Sequence, residues 1–198
     1  MNQTLSKDSF RKNGGVKTDR GTRLPKFQTY FRKYQGSRGP IKQIYRILYR
    51  YYSNKSHIEI PRDTKIGAGL YIGHPYCITV NANAEIGENC NIHKGVTIGQ
   101  ENRGKRAGAP KIGNSVWMGV NATIVGSIII GDDVLIAPNS YVNCDVPSHS
   151  VVFGNPCIIK HKENATERYI NNKILNYCHR EALSGTGCAL FDFYARKE

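Results

Sequence analysis

The sequence predicts an all-β fold, a parallel β-helix of triangular coils, on three observations: a six-residue aliphatic period, glycine at a fixed phase of it, and small residues two places ahead. From Ile60 an aliphatic side chain returns at Ile66 and Ile72, then, after a two-residue slip, at Val80, Ile86, Ile92 and Ile98. A longer interruption follows, and the period resumes at Ile112, Met118, Ile124, Ile130, Ile136 and Val142. Glycine or alanine comes next at Gly67, Gly73, Gly87, Gly99, Gly113, Gly119, Gly131 and Ala137. In most hexads the place two before the aliphatic residue holds a small or modest side chain, as at Leu70, Ala84, Cys90, Val96, Val116, Ala122, Val134 and Ser140. A six-residue period fits neither a helix nor a sustained strand. It fits short flat strands joined by tight turns, each hexad one side of a triangular coil with its aliphatic residue inward. The outer faces of such a prism are expected to stay partly apolar and to associate, which predicts a homotrimer.

Around this region the chain divides into three: a basic, partly helical extension over 1–57, the coils over 58–160 with a loop at 100–111, and a C-terminal segment over 161–198. Residues 1–56 hold 14 Lys or Arg against Asp8 and Asp19, which is +12 of the total net charge of +13. The basicity therefore belongs to the extension and is no argument for nucleic acid as a partner. Within it, Pro40 to Tyr52 reads as an amphipathic helix with Ile41, Ile44, Tyr45 and Leu48 on one face and Arg46 and Arg50 at the flank. Either that face docks on the coils, or it touches anionic lipid, which would place the protein peripherally at the inner face of the membrane.

No run approaches the length of a spanning helix, and Met1 to Gly15 lacks an apolar signal core, so the expected compartment is the cytoplasm. The six cysteines form no C-x-x-C pair and share no zinc-like spacing with histidine, so no metal is expected and the thiols read as reduced, buried side chains. Asn164 to Leu183 reads as helix.

The stretches GLYIGHPYCITVN (69–81), GVTIG (95–99), APKIG (109–113) and DVPSHSVVFGNP (145–156) make residues 58–160 resemble the hexapeptide-repeat acyltransferases. Within these it is similar to the serine acetyltransferase group, which includes O-acetyltransferases of capsule and exopolysaccharide sugars. The resemblance implies a left-handed coil, against the hand that parallel crossovers usually take. It implies acetyl-CoA as co-substrate and His74 as the general base that activates an acceptor hydroxyl. Glu59 stands where the family has a carboxylate orienting that histidine; it is read either as that partner or as a solvated strand-edge residue.

The family's coenzyme A contacts fall on Gly119, Val120, Ala137 and Pro138, with Lys160 near a phosphate and the N–H of Gly99 or Gly119 as oxyanion donor. His93, Arg103 and Arg106 are candidate acceptor contacts; the two arginines are also read as phosphate ligands or as a solvated loop tip. Serine acetyltransferases carry an Arg-His pair in this loop before Pro-Lys, where this sequence has Gly108 and Ala109. On that departure the leading expectation is O-acetylation of a saccharide hydroxyl in surface-polysaccharide assembly. Serine O-acetylation is the alternative, and a non-catalytic β-helix scaffold is the third reading.

Overall fold

The computed structural model describes residues 3–14 and 23–175. Three helices come first, α1 (Gln3–Asn13), α2 (Lys26–Gln35) and α3 (Gly39–Ser56). The chain then winds as a left-handed parallel β-helix whose three faces are three sheets. The first face stacks β1 (Ile58–Glu59), β4 (Ile78–Val80), β7 (Thr97–Gly99), β10 (Thr123–Val125) and β13 (Tyr141–Val142). The second stacks β2 (Lys65–Ile66), β5 (Glu85–Ile86), β8 (Lys111–Ile112) and β11 (Ile129–Ile130). The third stacks β3 (Tyr71–Gly73), β6 (Asn91–His93), β9 (Trp117–Met118), β12 (Val134–Ile136) and β14 (Ser150–Phe153), and ends in β15 (Ile158–His161), which turns back antiparallel to β14.

The register follows the hexads. Ile66 pairs with Ile86 and Ile86 with Ile112; Ile72, Ile92 and Met118 align on the third face. The small residues two places earlier point inward as well, so Leu70, Cys90, Val96, Val116, Ala122 and Val134 are buried with the aliphatic column. Corners are turned by residues in the left-handed region, among them Asn89, Asn121, Asn139 and Asp133, where a short polar side chain tolerates positive φ best after glycine.

The outward rows, expected to be partly apolar, are mostly polar on two of the three faces. On the first face Glu59, Thr79, Thr97, Thr123 and Tyr141 fall in line, and on the second Lys65, Glu85, Lys111 and Ile129. Only the third face has a largely apolar outer row, which includes Trp117 and Leu135, and it is covered by α1 and the turns after β15. Of the cysteines, Cys90 is buried, Cys77 is exposed, and Cys144 and Cys157 are half-buried with sulfurs 3.5 Å apart; Cys178 and Cys188 lie outside the described residues.

Two further expectations change. The helix over 40–52 exists within α3, but Ile41 and Ile44 are exposed, 45% and 52%. The docked face is aromatic instead: Tyr49 packs on Phe27 and Phe31 and Tyr45 and Tyr52 on Tyr30, so α3 rests on α2 through rings that bury more area than isoleucine offers. Residues 163–169 form turns rather than helix, with helical backbone only from Ile174; the remainder of the expected helix lies outside the described residues. The cause is Asp133. Its carboxylate accepts from the N–H groups of Ala165 and Thr166 and from the Thr166 hydroxyl, at 2.9, 3.1 and 2.6 Å, which fixes that backbone in a turn. Burial would raise this carboxyl, but Thr166, His149 and Ala165 together hold it below its usual range. Its contribution is therefore present above the ordinary carboxylate range and lost as pH falls through the depressed value.

The helices are anchored by a buried ion pair. Asp8 and Arg32 meet at 2.8 Å with their side chains almost wholly excluded from solvent. Burial pushes the Asp8 carboxyl up, and Arg32, Gln28 and the Leu70 N–H pull it back. Replacing Asp8 by Ala takes the carboxylate away from a buried guanidinium and from the Gly69 and Leu70 N–H groups, and we expect a loss of about 3–5 kcal/mol in denaturant unfolding. Glu85→Ala, which breaks the exposed pair with Lys65, should leave the unfolding midpoint unchanged within error.

Candidate active site

His74 owes its position to the two-residue slip in the repeat. Elsewhere the corner between third and first faces is turned by one left-handed residue, Gly95, Asn121 or Asn139, and the corresponding residue of this coil is Cys77. The slip adds a second left-handed residue, His74 at φ +52°, and pushes the chain outward over 74–77. The bulge is held by the next coil, because Lys94 N–H donates to Gly73 O at 3.1 Å and Gly95 N–H to Tyr76 O at 3.2 Å. Tyr76 packs edge-on against His57, with ring centres 5.2 Å apart. His74 is thus an exposed imidazole on a fixed backbone.

His93 lies beside it. In the register of the third face His93 stands opposite Gly73, and a Cβ on that glycine would sit 2.6 Å from the imidazole Cδ2 and 2.7 Å from Nε2. The bare Cα is what lets the ring lie flat there. Nδ1 is 3.1 Å from the Met118 carbonyl, which can only accept, so Nδ1 carries the proton and Nε2 keeps a free lone pair. Burial lowers the His93 pKa first; the Met118 carbonyl raises it, and the nearby His74 charge lowers it further. At neutral pH the pair is therefore an exposed imidazole next to a neutral one of fixed tautomer.

Glu59 is exposed on β1, opposite Thr79, at the same end of the first face as the His74 bulge. No hydrogen bond joins Glu59 to His74 among the described residues. Gly119, Val120, Ala137 and Pro138 occupy later turns of the His74 corner, tied by hydrogen bonds from Asn121 N–H to Lys94 O and from Asn139 N–H to Val120 O. Glycine is required at 119 by coil stacking itself, since a Cβ would lie 2.6 Å from Pro138 N. Lys160 is exposed on β15, its ammonium 5.7 Å from the Phe153 ring centre.

Gly99 and the loop lie elsewhere. The strands of the first face are parallel, so their starts share the His74 edge and their ends share the opposite one. Gly99 ends β7 there, and the loop projects beyond it, closed by a Glu101–Gly108 bridge with a single 3-10 turn at Gly104–Arg106. Arg103 and Arg106 line a pocket with Val125, Gly126 and Asn143 on that edge, and the pocket extends over the face to Tyr141. Within one chain the structure does not bring them to His74.

Beside His93 and Trp117 the site contains Tyr71 and Tyr169, which sequence reasoning missed. Tyr71, His93, Trp117 and Tyr169 form a continuous row, with ring centres 6.3, 4.7 and 5.1 Å apart in turn. Arg11 and Lys12 of α1 border it. The six-residue spacing put Tyr71 and Trp117 on an outward row, but nothing in the pattern tied α1 or Tyr169 to that row.

Comparison with known proteins agrees with this architecture. Residues 109–144 match the bacterial transferase hexapeptide (six repeats) family. Serine acetyltransferase of Helicobacter pylori is 39% identical over 98 residues, 50% of this chain and 57% of that protein. The Staphylococcus aureus enzyme of the same name is 41% identical over 101 residues, 50% of this chain and 46% of that one. The chain thus spans about half the length of these relatives. Among solved structures, soybean serine acetyltransferase without ligand superposes with a TM-score of 0.64 at 27% identity, covering 80% of this chain and 68% of that one. The same soybean protein complexed with serine gives 0.64 at 25%, again over 80% and 68%.

The histidine pair yields a prediction. In nitrogen-edited NMR of the imidazoles, His93 should show the Nδ1–H tautomer at pH 7 and titrate below the ordinary histidine range. His74→Gln, which removes a neighbouring positive charge, should raise that pKa, and Gly73→Ala should abolish the tautomer signature by displacing the ring. By its repeat, its coil and its relatives, the chain resembles the hexapeptide-repeat acyltransferases and, within them, the serine acetyltransferase group.

Proposed function

We propose that this chain is an acetyl-CoA-dependent O-acetyltransferase in which His74 is the general base. The observation that carries the reading is an exposed imidazole on a rigid, left-handed corner residue of a hexapeptide coil similar to those of serine acetyltransferases. His74 takes the proton of an acceptor hydroxyl as the oxygen attacks the thioester carbonyl carbon. The carbon–sulfur bond then breaks, and the departing thiolate of coenzyme A takes the proton from His74. Direct attack needs no acyl-enzyme; Cys77, three residues away, points to solvent without an activating base among the described residues. Acetyl-CoA is placed along the stacked corner of Gly119, Val120, Ala137 and Pro138, and a homotrimer remains the proposed assembly.

L-Serine now ranks ahead of a saccharide as acceptor. The relatives that match are serine acetyltransferases, and the soybean neighbour has been solved with serine, which reverses the order expected from the loop alone. The saccharide reading stays second on one observation, the Gly108–Ala109 pair in place of the family's Arg-His.

Release of coenzyme A from acetyl-CoA with L-serine or a saccharide as acceptor tests the proposal. His74→Ala should lower turnover by about 100- to 10,000-fold while acetyl-CoA still binds. Unchanged turnover in that variant would remove His74 from the mechanism, and failure of the wild type to bind acetyl-CoA would leave the scaffold reading.

A further inference from the structure

The outer side of the third face carries a second feature that the acetyl-transfer reading does not use. Between α1, the coils and the turns after β15 lies a cavity of about 260 Å³, bordered by Arg11, Lys12, Tyr71, His93, Trp117 and Tyr169. Asn91, Asn171 and Asn172 also line it, and among the described residues no Asp or Glu does.

Its charge is unbalanced. Arg11 is only 3% exposed. Its Nε donates to the Gly69 carbonyl at 3.0 Å and one terminal nitrogen donates to Asn91 Oδ1. Among the described residues no carboxylate forms an ion pair with it; Asp8, paired with Arg32, acts on it only through space. Burial pushes the Arg11 pKa down to about 10, which still leaves a cation at neutral pH. Lys12 adds a second charge, its ammonium 4.8 Å from the Tyr71 ring centre. Two cations, one of them desolvated, attract an anion whose planar oxygens match the free edge of a guanidinium, that is, a carboxylate.

The cavity is also a built one. Asn91 accepts from Arg11 and donates through Nδ2 to the Tyr169 carbonyl at 3.2 Å, so a single buried side chain fixes both walls. The Trp117 and Tyr169 rings stand edge to face, 5.1 Å apart, and offer an apolar surface beside the charges. At the inner end His93 lies over Gly73, the residue before His74.

We infer that this cavity is the acceptor subsite for a hydroxyl compound bearing a carboxylate, with the carboxylate on Arg11 and Lys12 and the body of the molecule along the aromatic row. The connection to catalysis rests on the acetyl-transfer reading; the binding itself does not. Two sources share the chemistry, a hydroxy amino acid such as serine and an acidic sugar such as a hexuronate. The subsite would supply from α1 the carboxylate contact that Gly108 and Ala109 cannot make.

Trp117 is the one tryptophan of the chain, so its emission reports occupancy without acetyl-CoA or turnover. The protein is titrated with methyl β-D-glucuronide, methyl β-D-glucoside and L-serine, and Lys12→Met is titrated in parallel, with circular dichroism confirming its fold. Lys12 is chosen because a change at buried Arg11 also perturbs the packing of α1. We expect a saturable change with the glucuronide or with serine, at least about tenfold weaker binding of the glucoside, and about tenfold weaker binding of the responding ligand by Lys12→Met. A response to the glucuronide assigns the subsite to an acidic sugar, and one to serine alone assigns it to the amino acid. Equal responses to glucuronide and glucoside, no response to either carboxylate, or an unaffected Lys12→Met each overturn the inference. Because acetyl-CoA is absent, a failed transferase assay leaves this result standing.

Discussion

The first coil of a β-helix has no coil beneath it, and every backbone N–H and C=O on that edge needs a partner that the repeat cannot supply. Here side chains of the helices provide them. Asp8 Oδ1 accepts from the N–H groups of Gly69 and Leu70 at 2.9 and 3.0 Å. Arg32 donates to the carbonyls of Ile66 and Gly67 at 2.9 and 2.6 Å, Arg11 to Gly69, and Gln28 to Leu70 at 2.8 Å. Tyr49 and Ser53 of α3 do the same for the carbonyls of Ile60 and Ile58. The Asp8–Arg32 pair locks this set together, because each member is fixed to the edge as well as to its partner. The helical extension is therefore the end cap of the coil, and His74, four residues beyond the capped backbone of Leu70, inherits its rigidity.

The repeat was legible because inward positions tolerate little variety. Each hexad admits one aliphatic and one small residue to the column, so the period survives substitutions such as Cys90 and Met118. His74 was legible for a related reason, since the slip between Ile72 and Val80 marks a place where the coil must bulge. The cap was not legible. Asp8 is one of two acidic residues among 14 basic ones in the extension, and its partner is 24 residues away on another helix. Net charge counted Arg11 and Arg32 as surface basicity, although both are buried in the cap. Side-chain to backbone bonds across such separations have no period, so pattern reading cannot find them.

The same limit explains the aromatic row. Outward positions answer to whatever covers them, and for the third face that cover comes from both ends of the chain. Asn91 ties Arg11 on one side to Tyr169 on the other, so the cavity exists only when cap and C-terminal turns are both docked. Asp133 holds those turns by its hydrogen bonds to Ala165 and Thr166, and Asn89 Oδ1 accepts from Ile174 N–H at 2.9 Å. Stability and recognition share these residues. A substitution at Asp8 or Asp133 should therefore affect acceptor binding through the walls of the cavity, without touching either imidazole.

The loop raises a question of geometry that sequence alone poses differently. The resemblance implies a loop that reaches toward a neighbouring active site, and the parallel strands of the first face put Arg103 and Arg106 on the edge opposite His74 of the same chain. Closing that separation within one chain would require the loop to cross the whole face, yet the Glu101–Gly108 bridge and the Arg106 carbonyl, which accepts from Ser127 N–H at 2.8 Å, tie it to its own edge. If the loop serves an acetyl-transfer site, that site is the one on a second copy, whose His74 edge would face this pocket. The polar outer rows of the first and second faces then matter, because an association through threonines and charges would be more sensitive to salt than one through an apolar face. The carboxylate subsite formed by Arg11 and Lys12 carries no such requirement, since both residues and His93 belong to one chain.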